Sequence, residues 1–114
     1  MLRLVIQGMD GNVIGEAENG KLGIDQAERL HPQLLLLDVS MPLMNGFTTA
    51  RALKERMPQL PIIFVSQHPE RAYADEAFRC GAQGYVLKRA AATELPHAIR
   101  AVLAGQVFCS PMIM

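Results

Sequence analysis

Short apolar runs alternate with helical patterns along the chain from residue 12 onward. Two of these runs, QLLLLD and PIIFVS, are apolar at successive positions, which is typical of strands covered by helices on both faces. Between the runs, apolar residues recur at three- and four-residue spacing, as on the buried face of a helix. The pattern predicts strands over 12–17, 33–38, 61–66 and 84–88, and helices over 21–30, 46–57, 69–80 and 92–104.

Strands that alternate with helices form βαβ units, in which parallel strands make one sheet with helices on both faces. We therefore expect an α/β fold with a doubly wound parallel sheet. In such sheets the functional site lies beyond the carboxyl ends of the strands. Asp38, Ser66 and Lys88 stand at the ends of three successive apolar runs. The fold should bring all three to one edge of the sheet.

A carboxylate, a hydroxyl and an ammonium at one site suit phosphoryl chemistry. Asp38 could act as a nucleophile and carry an acyl phosphate. Lys88 would bring a compact positive charge to a phosphoryl oxygen, and Ser66 one hydrogen bond. Without phosphate, Lys88 can pair with Asp38 and keep it ionised. The alternative is that polar residues only solvate the rim of the sheet. This would readily explain one of the three residues, but it explains all three together less well than a shared site does.

Composition narrows the class of protein. The 114 residues suit one domain, and 11 basic and 11 acidic residues cancel, with a pI near 6.8. This balance argues against nucleic acid or an anionic membrane as a direct partner of the chain. The apolar runs are shorter than the roughly 20 residues of a membrane span. Cys80 and Cys109 have no metal-ligand spacing and are interpreted as reduced cytoplasmic thiols, most simply buried small hydrophobes.

Five segments stand in the order and at the spacing of a known family. They are GEAENG (15–20), LLLLDVSMPLMNG (34–46), FVSQ (64–67), GAQGYVLK (81–88) and AIRAVLAGQVFCSP (98–111). They resemble the CheY-like receiver domains of two-component response regulators, a flavodoxin-like module. The similarity is greatest to the NarL/FixJ subfamily, whose receivers precede a LuxR-type helix-turn-helix domain.

The resemblance implies a role for each residue at the sheet edge. Asp38 becomes the phospho-acceptor, Ser66 the switch hydroxyl and Lys88 the phosphate-binding lysine. Tyr85 matches the aromatic residue whose rotamer follows the hydroxyl, although it could also be an ordinary strand aromatic. Ser40 takes the position whose backbone carbonyl helps to hold Mg²⁺ beside the acceptor aspartate. The resemblance further implies that Met41, Pro42 and Gly46 shape the loop around the pocket.

The start of the chain departs from the family, whose first strand ends in two acidic residues that bind Mg²⁺. In one alignment, residues 1–9 are the remnant of the first helix, and the first strand lies upstream of Met1. A second alignment makes LRLVI the first strand. Residues 7–11 are too short for the crossover that a parallel neighbour needs; an antiparallel hairpin would fit but would reverse the family's strand direction.

We favour the first alignment, with a receiver domain over 1–110, a tail over 111–114 and no output domain. The flavodoxin-like sheet would then be incomplete, lacking its first strand and the start of its first helix. Because two strands would lose a neighbour, we expect strand rearrangement, strand exchange between chains or oligomerisation.

The missing acids weaken the expected metal site. Mg²⁺ is normally held by one or two carboxylates together with phosphate oxygens. Asp38 with the Ser40 carbonyl is a poor ligand set, and Asp10, Glu16 or Glu18 could substitute without a spacing that favours any of them. We hypothesise that the chain as given accepts phosphate poorly or not at all.

The first functional interpretation is a receiver whose Asp38 takes phosphate from a sensor histidine kinase to control transcription, through a DNA-binding domain outside this chain. It is a signalling domain rather than an enzyme, beyond its own phosphotransfer. The alternative is a degenerate receiver, independent of phosphorylation, that acts in protein interaction or dimerisation. A flavodoxin-like enzyme or nucleotide-binding domain is a third class, but neither G-x-G-x-x-G nor G-x-x-x-x-G-K-[ST] occurs.

Overall fold

The computed structural model describes residues 4–7, 13–17, 19–39 and 45–113, the first two ranges by their backbone. The described residues form six strands, four α-helices and one 3₁₀ turn at 88–90. In chain order these are β1 Leu4–Gln7, β2 Val13–Ala17, α1 Gly20–Leu30, β3 Leu34–Leu37, α2 Gly46–Arg56, β4 Ile62–Ser66, α3 Arg71–Arg79, β5 Gly84–Leu87, α4 Ala91–Leu103 and β6 Phe108–Cys109.

The strands make one sheet in the order β2-β1-β3-β4-β5-β6. The strands β3 to β6 run parallel, and β1 is antiparallel to both of its neighbours. Every strand and helix predicted from residue 12 onward is present, with bounds within two residues of the prediction. The expected α/β fold is therefore confirmed.

The prediction of a helix remnant over residues 1–9 was wrong for Leu4–Gln7, which form β1. This strand lies between β2 and β3, with Leu4 opposite both Ala17 and Leu37. In the order 2-1-3-4-5 that place belongs to the first strand, but β1 runs in the reverse direction. The short connection to β2 permits only an antiparallel neighbour, and β2 and β3 would otherwise have unpaired backbone groups here. The expected rearrangement occurs within one chain.

Both faces of the sheet are buried, as the apolar runs indicate. Leu35 and Leu37 belong to a cluster with residues of α1, α2 and α3 on one face. Leu34 and Leu36 point to the other face and pack in a second cluster that includes Ala98 and Val102 of α4. β3 is thus a central strand buried on both faces, and Asp38 directly follows its end.

The end of the chain forms an element that the apolar pattern did not predict. Phe108–Cys109 pair in parallel with Gly84 and Tyr85, so β6 covers the edge of β5. Beyond it, the side chain of Ser110 is buried, and Ile113 joins the cluster packed by α1 to α3. The predicted tail is therefore docked on the domain at Ile113. None of the helices in the described part of the chain is long and apolar enough to cross a membrane.

Candidate functional site

The carboxyl ends of β3, β4 and β5 meet at one edge of the sheet. Parallel pairing places Leu37 beside Phe64, and Ser66 beside Leu87. Asp38 and Lys88 directly follow β3 and β5, and Ser66 is the last residue of β4. The structure thus puts the three predicted residues on the same edge.

Asp38 and Lys88 form an ion pair at this edge. The Lys88 Nζ donates to the Asp38 Oδ2 at 2.6 Å. The Asp38 side chain is only 4% exposed, whereas that of Lys88 is 31% exposed. A buried carboxylate is costly unless it is paired and hydrogen-bonded, and the ammonium group of Lys88 supplies such a partner to Asp38. A cavity of about 190 Å³ on the Lys88 side of the pair is lined by Gln67, Leu87, Lys88 and Arg89.

Ser66 and Tyr85 converge on one residue of the loop after β4. The Ser66 Oγ accepts a hydrogen bond from the His68 backbone N–H at 3.1 Å, and the Tyr85 hydroxyl donates to the His68 carbonyl at 2.8 Å. Both side chains are fully buried. Burial raises the pKa of Tyr85, and the hydrogen bond with the Ser66 hydroxyl opposes this increase in part. Sequence reasoning missed His68, because its contribution comes from its backbone and no pattern marks it.

Gly46 lies where the chain turns back against Asp38. Its N–H donates to the Val39 carbonyl at 2.8 Å. A Cβ at this position would lie 2.2 Å from the Asp38 carbonyl oxygen and 2.9 Å from the Phe64 ring. Only glycine permits this close approach. The other residues predicted to shape the pocket, Ser40, Met41 and Pro42, lie outside the described residues.

A family model described as the response regulator receiver domain matches residues 1–100. The chain belongs to this family. Among curated relatives, this receiver domain is 36% identical over 114 residues to the transcriptional regulatory protein YdfI of Bacillus subtilis, covering 99% of this chain and 53% of the relative. It is 38% identical over 110 residues to the nitrate/nitrite response regulator protein NarL of Escherichia coli, covering 95% of this chain and 50% of that protein. The chain therefore spans about half the length of these relatives.

Solved receiver structures share the fold. A LuxR-family two-component response regulator from Aurantimonas sp. superposes with a TM-score of 0.85 at 31% identity, covering 89% of this chain and 72% of that chain. The isolated receiver domain of RcsB from Salmonella enterica, determined with the phosphomimetic BeF3-, gives a TM-score of 0.81 at 30% identity, covering 90% and 76%. The similarity to receivers of the NarL and LuxR type is therefore shown by sequence and by structure.

The Mg²⁺ that receivers generally bind does not fit the residues that the structure describes. Within these residues, no three His, Cys, Asp or Glu side chains form a group that could hold a metal ion. The reversal of β1 contributes to this, because its last residue, Gln7, pairs with Leu34 at the end of β3 away from Asp38. Asp10 and Glu18 lie outside the described residues, and of Glu16 only the backbone is described, in β2.

Proposed function

We propose that this receiver domain accepts a phosphoryl group on Asp38 from a sensor histidine kinase and thereby controls a transcriptional output. The observation that supports this most is the 2.6 Å contact between Lys88 Nζ and Asp38 Oδ2 at the carboxyl edge of the sheet. It places the candidate nucleophile beside the cation that would meet the incoming phosphoryl oxygens. The cavity lined by Lys88 leaves open space next to this cation.

In the proposed step, a carboxylate oxygen of Asp38 attacks the phosphorus of a phosphohistidine. The new P–O bond forms as the P–N bond breaks, and the electron pair of that bond stays on the imidazole nitrogen, which takes up a proton from water. Lys88 moves its ammonium from the carboxylate to a phosphoryl oxygen. The Ser66 hydroxyl, which can donate one hydrogen bond, donates it to a second phosphoryl oxygen.

Chemical phosphorylation tests the acceptor directly. The chain is incubated with acetyl phosphate over a range of Mg²⁺ concentrations and examined by intact mass spectrometry. Because no group of described side chains could hold Mg²⁺, we expect one phosphoryl group to be added slowly and to only part of the protein. The adduct should be absent in Asp38→Asn and form more slowly still in Lys88→Ala. Ser66→Ala should retain the adduct and change only its rate. An adduct of equal yield in Asp38→Asn would overturn the assignment.

A phosphorylation-independent receiver is the second candidate, and a specific observation favours it. The strand that occupies the place of the family's first strand runs in reverse, and Asp38 belongs to no group of described acidic residues that could hold a metal ion. Such a receiver would act as an interaction or dimerisation module. An absence of the adduct at every Mg²⁺ concentration, with an unchanged molar mass in light scattering with and without phosphodonor, would favour this candidate.

The proposed output and assembly follow from the relatives. YdfI and NarL are named as regulators, and one solved neighbour is described as two RcsB dimers bound to two parallel DNAs. We propose that this receiver also forms a homodimer or oligomer and acts on DNA through a helix-turn-helix domain outside this chain rather than by itself. Sedimentation of the chain with and without the phosphodonor measures the first part. A monomer under both conditions would contradict it.

A further inference from the structure

We propose that His68 is a positioning residue for the phosphorylation site. Its backbone holds the hydroxyls of Ser66 and Tyr85, and its ring is fixed against Tyr73 of α3. The expected effect on phosphorylation rests on the proposed function, but the contacts of His68 with Ser66, Tyr85 and Tyr73 can be tested without any phosphate.

The backbone of His68 serves both hydroxyls at once. Its N–H donates to Ser66 Oγ and its carbonyl accepts from the Tyr85 hydroxyl. A single displacement of this residue would therefore leave two fully buried hydroxyls without these partners. Buried polar groups that lose hydrogen bonds are costly, so the position of His68 and the orientation of the Ser66 hydroxyl are coupled.

The ring of His68 provides the fixed point that the loop needs. Its centroid lies 4.1 Å from that of Tyr73, and the two planes differ by only 7°. Tyr73 in turn lies 6.4 Å from Phe47, which lies 5.4 Å from the buried ring of Phe64. This aromatic row continues from the loop into the core beneath the site. Stacked rings attract each other beyond the effect of their burial.

The row therefore connects the switch hydroxyl to α3 through one side chain. If the ring of His68 is removed, the loop can move away from α3. The Ser66 hydroxyl then loses the N–H that orients it, and phosphorylation of Asp38 should slow by about three- to tenfold, the range that corresponds to one aromatic stack. A phenyl ring at the same position should preserve the stack and the rate. An imidazole acting directly as an acid or base could not be replaced in this way.

The geometry is tested first by titrating Tyr85. The chain has two tyrosines, so Tyr73→Phe keeps the stacking ring and leaves Tyr85 as the only phenol to be followed by ultraviolet absorbance. In this background we expect His68→Ala to lower the pKa of Tyr85 towards the ordinary value near 10, because the buried hydroxyl gains access to water. His68→Phe should restore the raised pKa. An unchanged titration in His68→Ala would overturn the proposal.

The second measurement is the rate of acyl phosphate formation in the same variants. Glu70→Ala, at an exposed position where the same loop meets α3 and where the side chain makes no capping hydrogen bond, is the matched control and should be phosphorylated like the parent chain. If the parent forms no adduct, the proposed function fails while the Tyr85 titration still decides the role of His68. If the parent reacts and His68→Ala reacts equally fast, the positioning role is overturned. Tyr73→Ala, which removes the other ring, should reproduce His68→Ala; a parent-like rate in Tyr73→Ala would also contradict the proposal.

Discussion

Leu4 of β1 lies opposite Leu37 of β3 in an antiparallel pair, and Leu37 is the residue directly before Asp38. The start of β1, rather than its end, is therefore at the edge of the sheet that carries the candidate site. A residue at the end of β1 is directed to the opposite edge. In other receivers, the strand at this place in the sheet ends with the metal-binding acids. Here the strand runs in the opposite direction, so its carboxyl end lies away from the candidate site.

The pairing of β1 with two neighbours predicts a strong response to proline. Val5 lies opposite Glu16 in β2 and Leu36 in β3, so its N–H points to one of two paired strands. Val5→Pro removes this donor and leaves a ladder carbonyl without its partner, which should lower the free energy of unfolding by about 1–3 kcal/mol. Val5→Ala is the control for the lost side chain, and urea unfolding compares the two. If both variants lost equal stability, β1 would not be a central strand.

The central strands could be predicted because their own residues determine them. Leu34 to Leu37 alternate between two clusters, so the run of leucines requires a strand covered on both faces. The position of Asp38 at its end follows from the same argument. The contact with Lys88 follows from the parallel register of β3, β4 and β5, which the alternation of strands and helices implies.

The other elements depend on partners that are distant in sequence. The pattern of the short segment Leu4–Gln7 suits either a helix or a strand. It forms a strand because it then pairs with the backbone groups of β2 and β3, which would otherwise lack partners. The strand β6 has two residues, too few for a period, and forms because Phe108 N–H and Ser110 N–H reach the carbonyls of Gln83 and Tyr85. His68 acts through backbone atoms, which every residue type possesses.

Gly46 should tolerate no side chain. The added Cβ of Gly46→Ala would meet the Asp38 carbonyl oxygen at 2.2 Å, and a backbone atom next to the site cannot move aside as a flexible side chain can. We expect a loss of about 3 kcal/mol in the free energy of unfolding. Phosphorylation of Asp38 should slow as well. The control is Thr48→Ala in the first turn of the same helix, where the side chain is exposed. Thermal unfolding of both variants provides the measurement, and equal midpoints would contradict the close approach.

Stability should decrease in alkaline solution. Burial raises the pKa values of Cys80, Cys109 and Tyr85. A raised pKa means that the folded state favours the protonated form, so this stability is complete below the ordinary pKa of each group. It is lost as the pH rises through the raised value. For the two thiols, the loss begins above the ordinary pKa of 9.0.

Two substitutions separate the groups that cause this dependence. Cys80→Ala removes one raised pKa and should make the loss of stability above pH 9.0 shallower. Burial lowers the pKa of Lys54, which means that the folded state favours the neutral amine. The contribution of Lys54 to the stability of the fold therefore increases as the pH rises, opposite to that of the thiols. Lys54→Met should therefore make the loss steeper. Urea midpoints measured across the range test both, and parallel curves for the parent and Cys80→Ala would contradict the explanation.

Ser110 should hold the end of the chain against the strand that leads to Lys88. Its Oγ accepts from the Leu87 N–H at 3.0 Å and donates to a carboxylate oxygen of Glu94 in α4. Ser110→Ala leaves both groups without this partner and should cost about 1–3 kcal/mol in the free energy of unfolding. Thr93→Ala removes an exposed hydroxyl one residue away from Glu94 and should cost much less. Urea unfolding compares the variants, together with amide exchange of Phe108 and Ser110. We expect these two amides to exchange faster in Ser110→Ala, while β4 stays protected, because the Ser110 side chain fixes β6 to β5. Unchanged exchange would show that Ile113 alone anchors this segment.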